Sequence, residues 1–282
     1  MSEAYDRRVV AARADLAAAH LKGRIKAERY SEGRLVWVTR GRTALRGAPS
    51  LDAALETELL FGEGFTIYDD KDGWVWGQAA LDSHVGYARS EAFSPSPCNP
   101  SHRVTSARGT PLLSAPDPTE PAREILPLNA KLELAELAGR FAQLKSGGYV
   151  FQNHIAAVSF RNPDWVSVTE SLVGVPYVWG GKSFAGIDCS GLIQTALEAG
   201  GVAAPRDTDL MEAALGVNLA LEAELKRGDL IFWKGHMGTM LDAARLIHAN
   251  AYAMQVSVEP FKTACERIAA DGFPVRTVKR LS

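Results

Sequence analysis

The texture of this chain changes near Asn162, and that change limits its architecture more than any other feature. From Arg34 onward the sequence runs in short alternating stretches, RLVWVTR, TALRGAP, ELLFGEGFTIYDD, GWVWGQAA and HVGYARSEAF, cut by Gly, Pro and Asp. Alternation with a period of two puts every second side chain on one face, so these stretches predict about five or six strands of a small β-barrel. The segment SPSPCNPSH (94–102), with its three prolines, reads as a linker. Beyond it, HRVTSARGTPLLSAP and its successors predict a second barrel of similar size, without a residue-level repeat. After residue 162 the pattern becomes helical. Residues 163–172 read as a short amphipathic helix, and 190–198 are apolar at Leu192, Ile193, Ala196 and Leu197 before Gly200 and Gly201 end the pattern. Strands are expected at 228–233, 237–241 and 246–250. The Ala- and Arg-rich residues 5–26 suggest a short helix at 15–20, within an arm that wraps the next domain. The fold class is therefore α+β, divided into 1–97, 98–162 and 163–282.

Composition narrows the partners. The 282 residues are 46% hydrophobic and 23% charged, which excludes a disordered chain. Against 31 Lys and Arg stand 33 Asp and Glu, a net charge of −2 that gives no electrostatic basis for binding nucleic acid or an anionic membrane. No run of about 20 apolar residues is present, as a membrane-spanning helix would need. The charged N-terminal stretch has no apolar segment of a secretory leader, and the expectation is a cytoplasmic protein. The three cysteines, Cys98, Cys189 and Cys265, form neither a disulfide framework nor a CxxC pair. Six histidines without an HExxH motif argue against a metal hydrolase, and no cofactor is expected.

Chemistry concentrates in VPYVWGGKSFAGIDCSG (175–191), directly ahead of the second helix. Cys189 then sits at a helix N-terminus, where unpaired N–H groups and the helix dipole favour a thiolate. His236 and His248 fall on expected strands. If these form a hairpin centred on Asp242, the two residues face each other directly, and one imidazole can orient the other. A helix-borne thiol, a strand-borne base and a polar orienter are the parts of a cysteine nucleophile site.

These residues resemble the NlpC family of bacterial cell-wall cysteine peptidases, which have a papain-like core. The resemblance is carried by PYVWGG (176–181), DCSG (188–191), PRDT (205–208), RGDLIFW (227–233), HMG (236–238) and IHA (247–249), in the order and approximate spacing of the family. It departs at Met237 and Thr239, where the family usually has β-branched residues, and at Met211, where Gln is common. The resemblance implies Cys189 as nucleophile, His236 as base and His248 as orienter. The front barrels resemble the bacterial Src-homology-3-like units of a leaderless subgroup. Those enzymes cleave the γ-D-glutamyl bond to meso-diaminopimelate or L-lysine in murein tripeptides or tetrapeptides that begin with a free L-Ala. By the same resemblance Asp188 and Ser190, with an acidic residue and a tyrosine of the first barrel, hold the substrate amine. Glu63 and Tyr87 are the candidates for the barrel pair, while Tyr177 and Trp179 are expected to line the cleft.

Three other readings compete. An inert cell-wall-peptide binding protein would have no need of the complete Cys189, His236 and His248 set. A related papain-like acyltransferase or amidase acting on lipids fits the glycine-rich DCSG context and the front barrels less well. An exported hydrolase of intact wall would need a leader.

Overall fold

The computed structural model describes residues 5–281, and all counts below refer to these. It divides into two compact units, Met1–Ser159 and Phe160–Ser282.

In the first unit a seven-stranded antiparallel sheet has the spatial order Leu55–Leu60, Arg42–Arg46, Val85–Arg89, Trp74–Ala79, Gly64–Lys71, Arg34–Val38 and Phe93–Ser94. One more strand forms than the sequence suggested, partly because ELLFGEGFTIYDD breaks in two. Glu63 makes the break: its N–H donates to the Leu60 carbonyl at 3.0 Å, and its carboxylate accepts from the Leu60 N–H at 3.0 Å. Val36, Val38, Leu45, Leu59, Phe65, Val75 and Ala88 fill the interior. Residues beyond the linker build a three-stranded and a five-stranded sheet around a second core cluster, in which Val104, Leu126, Leu132, Leu144 and Val150 are joined by Phe61.

No α-helix forms at 15–20. Leu16–Ala18 is instead a strand, paired in parallel with Arg29–Ser31 and followed by a 3₁₀ turn at Ala19–Leu21. Three consecutive apolar residues have no helical spacing, and burial of all three with Trp76 and Val85 outweighs the helix preference of alanine. The arm does pack on the first barrel. Arg13 lies over the Trp76 ring at 4.5 Å, donates to the Tyr87 hydroxyl at 3.0 Å and pairs with Asp69 at 2.6 Å.

The second unit contains a six-stranded antiparallel sheet ordered Val217–Leu219, Thr277–Arg280, Leu230–Trp233, His236–Met240, Arg245–Asn250 and Gln255–Pro260. Its first helix, Trp165–Ser171, and the long helix Cys189–Gly200 match the expected positions. Thr208–Ala214 and Phe261–Ala270 are additional helices. The central strand explains the layering. Leu230 and Phe232 pack with Ile193, Leu197 and Met237 on the side of the Cys189 helix, whereas Ile231 and Trp233 pack with Met240, Leu246 and Ala264 on the other. Both faces of LIFW are buried, which is why it reads as a continuous apolar run rather than an alternating one. At about 1.5–3 kcal/mol per buried large side chain, this strand anchors the sheet that carries both histidines.

Candidate active site

Cys189 is the first residue of its helix, and Asp188 is the N-cap, accepting from the Gly191 N–H at 2.7 Å. This is ordinary capping by a carboxylate, and it orients the first turn. The other Asp188 oxygen accepts from the Gly180 N–H at 2.8 Å, tying the PYVWGG turn to the helix start. Arg206, almost inaccessible, donates to both Asp188 oxygens at 3.0 and 2.8 Å and to the Ser190 hydroxyl at 2.7 Å. Gly191 is required here by space, since a Cβ would stand 2.2 Å from the Gly181 carbonyl oxygen. Asp188 and Ser190 are thus engaged in holding the start of the Cys189 helix, with the Asp188 charge matched by Arg206.

The Cys189 environment corrects the expectation of a thiolate. Burial pushes the thiol up to about 11, and the Asp188 carboxylate adds to the shift. Thr208, whose hydroxyl is 3.8 Å from Sγ, the Met237 backbone N–H and Arg206 pull the other way. Desolvation of a charged sulfur outweighs the helix terminus, so the resting group is a neutral thiol.

The histidines lie together, though not in the register expected. Thr239 pairs with Ile247 and Met240 with Leu246, so the hairpin is centred on Ala243 and His248 lies opposite Gly238. The shift is two residues along the partner strand, which preserves the pleat, and His236 and His248 still share a face as diagonal neighbours. A Cβ at position 238 would stand 3.0 Å from the His248 Cβ. The bare backbone there leaves room for the rings to meet, and His236 Nε2 is 2.8 Å from His248 Nδ1. The ladder between the two strands stops at Thr239, and before it the Met237 N–H serves Cys189.

A residue outside the sequence reading fixes the direction of these bonds. His248 Nε2 lies 2.7 Å from Glu259 Oε1, and Arg267 also donates to that oxygen. An ionised carboxylate only accepts, so His248 Nε2 carries the proton, its Nδ1 accepts, and His236 Nε2 donates. His236 is left with the lone pair on Nδ1, the tautomer a general base needs. Burial first, then the neighbouring His248 and Arg267, push His236 down to about 3. Burial also lowers His248, while Glu259 opposes that shift.

Tyr177 is half-buried, and its phenol is kept protonated by burial and by nearby Cys189 and Asp188. Trp179, 66% exposed, stands on the surface of its turn. Within the first unit, Tyr87 lines a cavity of about 370 Å3 together with Arg13, Glu56 and Trp76. Glu63 is not among its lining residues; it is buried in the turn described above. Arg206, Thr208, Gly238, Glu259 and Arg267 carry no assigned role in the sequence reading. The PRDT match pointed to the first two without a reason, and no spacing signal pointed to Glu259 or Arg267.

Residues 174–268 match the model of the NlpC/P60 family, and residues 45–93 match that of the bacterial dipeptidyl-peptidase SH3 domain. The chain thus contains an NlpC/P60 domain, of the cysteine-peptidase type, with an SH3-like domain ahead of it in the sequence. It is 28% identical over 250 residues to a γ-D-glutamyl-L-lysine dipeptidyl-peptidase of Bacillus cereus, covering 74% of this chain and 71% of that one. Dipeptidyl-peptidase 6 of Lysinibacillus sphaericus is 32% identical over 126 residues, 45% of this chain and 44% of that one. The crystal structure of an NlpC/P60 family protein from Bacillus cereus superposes with a TM-score of 0.72 at 20% identity, covering 87% of this chain and 99% of that one. At that identity the superposition speaks for the fold.

Proposed function

We propose that the chain hydrolyses the γ-D-glutamyl bond to a diamino acid in murein peptides that begin with a free L-Ala, using Cys189 as nucleophile and His236 as base. The observation that carries the chemistry is the directed chain from Glu259 through His248 to His236, beside a strand whose Met237 N–H serves the Cys189 sulfur. The name of the Bacillus cereus relative, a γ-D-glutamyl-L-lysine dipeptidyl-peptidase, supports the bond cleaved.

In the first step the Cys189 thiol proton passes to His236 Nδ1 as sulfur attacks the γ-glutamyl carbonyl carbon. Helix N–H groups at Cys189 and the protonated Tyr177 are the donors for the developing oxyanion. The C–N bond then breaks, His236 gives its proton to the departing amine, and a thioester remains. Water next gives a proton to His236 and attacks the thioester. The acid is released, and sulfur recovers its proton. His248 orients the imidazole and stabilises its cationic form.

Within the NlpC/P60 unit, amine recognition is assigned to Asp188 and Ser190, and packing of the substrate stem to Tyr177 and Trp179. We also read the β unit at 98–162 as a second SH3-like barrel, following the first at 1–97 and preceding the peptidase domain at 163–282 in the chain, on the strength of its own core cluster. A substrate with a free L-Ala amine has already left the glycan strand, so the role we assign is recycling of wall peptides, in the cytoplasm.

The test is hydrolysis of L-Ala-γ-D-Glu-diaminopimelate to L-Ala-D-Glu and diaminopimelate, repeated on the N-acetylated peptide. Loss of turnover on the blocked peptide is expected. Equal rates on both, together with release of peptides from intact murein, would favour the exported wall hydrolase, a reading supported by 36% identity over 112 residues to the mycobacterial peptidoglycan endopeptidase RipB.

A further inference from the structure

A cavity of about 330 Å3 lies beside the two imidazoles, and Tyr177, the neighbour of Cys189, is also in its lining. Trp233, Lys234, His236, His248, Arg267 and Phe273 help line it, and Cys189 does not. Its position beside the imidazoles gives it a place in the reaction. The leaving amine takes its proton from His236, so that half of the substrate departs on the imidazole side while the acyl half stays on sulfur. This argument rests on the γ-D-glutamyl reading above.

Lys234 sits in the turn joining the Leu230–Trp233 and His236–Met240 strands, two residues from the proposed base. Its side chain is exposed, and its neighbour is the Phe273 ring at 5.8 Å. Among the described residues it has no carboxylate partner, whereas Arg267, the other cation of the cavity, is held by Glu259. Asp271 adds one carboxylate to the lining. The cavity thus offers one uncommitted cation and one anion.

We infer that this cavity receives the diamino acid leaving group and that Lys234 selects a carboxylate at its far end, so that diaminopimelate is preferred to lysine. The distal centre of diaminopimelate carries an ammonium and a carboxylate, which match Asp271 and Lys234 together. A lysine side chain carries the ammonium alone. It satisfies Asp271 but brings a second positive charge toward Lys234 and leaves that cation unmatched. Lys234 is therefore a specificity-determining residue.

The experiment compares kcat/KM for L-Ala-γ-D-Glu-meso-diaminopimelate and L-Ala-γ-D-Glu-L-Lys in the wild type, Lys234→Ala and Lys234→Glu. A charge-assisted contact predicts a wild-type preference for diaminopimelate of roughly tenfold or more. Lys234→Ala should shrink that ratio, and Lys234→Glu should reverse it. Any effect of the charge on His236 acts on both substrates and cancels in the ratio. Cleavage of the lysine peptide by each variant reports that it is folded. A ratio unmoved by Lys234→Glu, or a wild-type preference for lysine, overturns the assignment while the γ-glutamyl reading stands. Failure of the wild type to cleave either peptide overturns that reading, and the role of Lys234 with it.

Discussion

The two halves of the candidate site are built in opposite ways. On the sulfur side, Asp188, Ser190 and Gly191 are contiguous with Cys189, and Arg206 ties them to the Gly180–Gly181 turn in a buried knot. On the imidazole side, His236, His248, Glu259 and Arg267 come from three strands and a helix, one group each, joined in series. The knot holds a position, whereas the series sets a proton direction. Damage to the first should appear mainly as lost stability, and damage to the second mainly as lost turnover.

The largest effect belongs to the one group that both halves serve. Cys189→Ala should lower kcat by at least about ten-thousand-fold while the thermal midpoint stays close to wild type. Retained turnover would remove Cys189 as the nucleophile. Arg206→Met tests the knot, because it leaves the buried Asp188 carboxylate without its guanidinium. A loss of about 3–5 kcal/mol of unfolding free energy is expected from urea titration; wild-type stability would mean that the Gly180 and Gly191 N–H groups suffice.

Glu259→Gln tests the series. A carboxamide can donate to His248 and reverse its tautomer, so kcat should fall roughly 10–100-fold with KM little changed. An equal rise in KM would point to a binding role instead. Gly238→Ala should act on the same series by crowding, since its Cβ would stand 3.0 Å from the His248 Cβ and 2.9 Å from the Ile247 carbonyl oxygen. About a tenfold loss of kcat is expected, with partial recovery at an enlarging His248 substitution counting against the crowding account.

The smallest effect is on pH dependence. His236 is lowered from 6.5 to about 3 in the folded protein, so between these values the unfolded chain binds the proton and the folded one does not. Stability is therefore present above about 6.5 and is lost as pH falls toward 3, at up to about 1.4 kcal/mol per pH unit. Thermal midpoints between pH 7 and pH 5 measure it. A midpoint that rises on acidification would mean that the folded imidazole is charged.

The same contrast explains what could be read in advance. Cys189 at a helix start follows from a local apolar pattern, and the observed helix begins at that residue. The pairing of the histidines on one face also follows, because the strand period fixes side parity. Their register does not. The local pattern centres the hairpin on Asp242, but the Asp242 carboxylate accepts from the Ala244 and Arg245 N–H groups and the turn closes one residue further on. In the first unit, alternation revealed the barrel strands, while the Leu60–Glu63 turn and the arm's strand depended on hydrogen bonds and burial that no local pattern encodes.

What the sequence by itself determined is therefore periodic and local: which segments are strands, where the Cys189 helix starts, and which face each histidine takes. Tertiary structure alone decided the charge states. The same dipole that favours a Cys189 thiolate is present at any helix start, yet burial raises this thiol, and a carboxylate from Gln255–Pro260 selects the histidine tautomers. Desolvation and hydrogen-bond direction depend on what surrounds a group in space, and that surrounding is assembled from segments far apart in the chain.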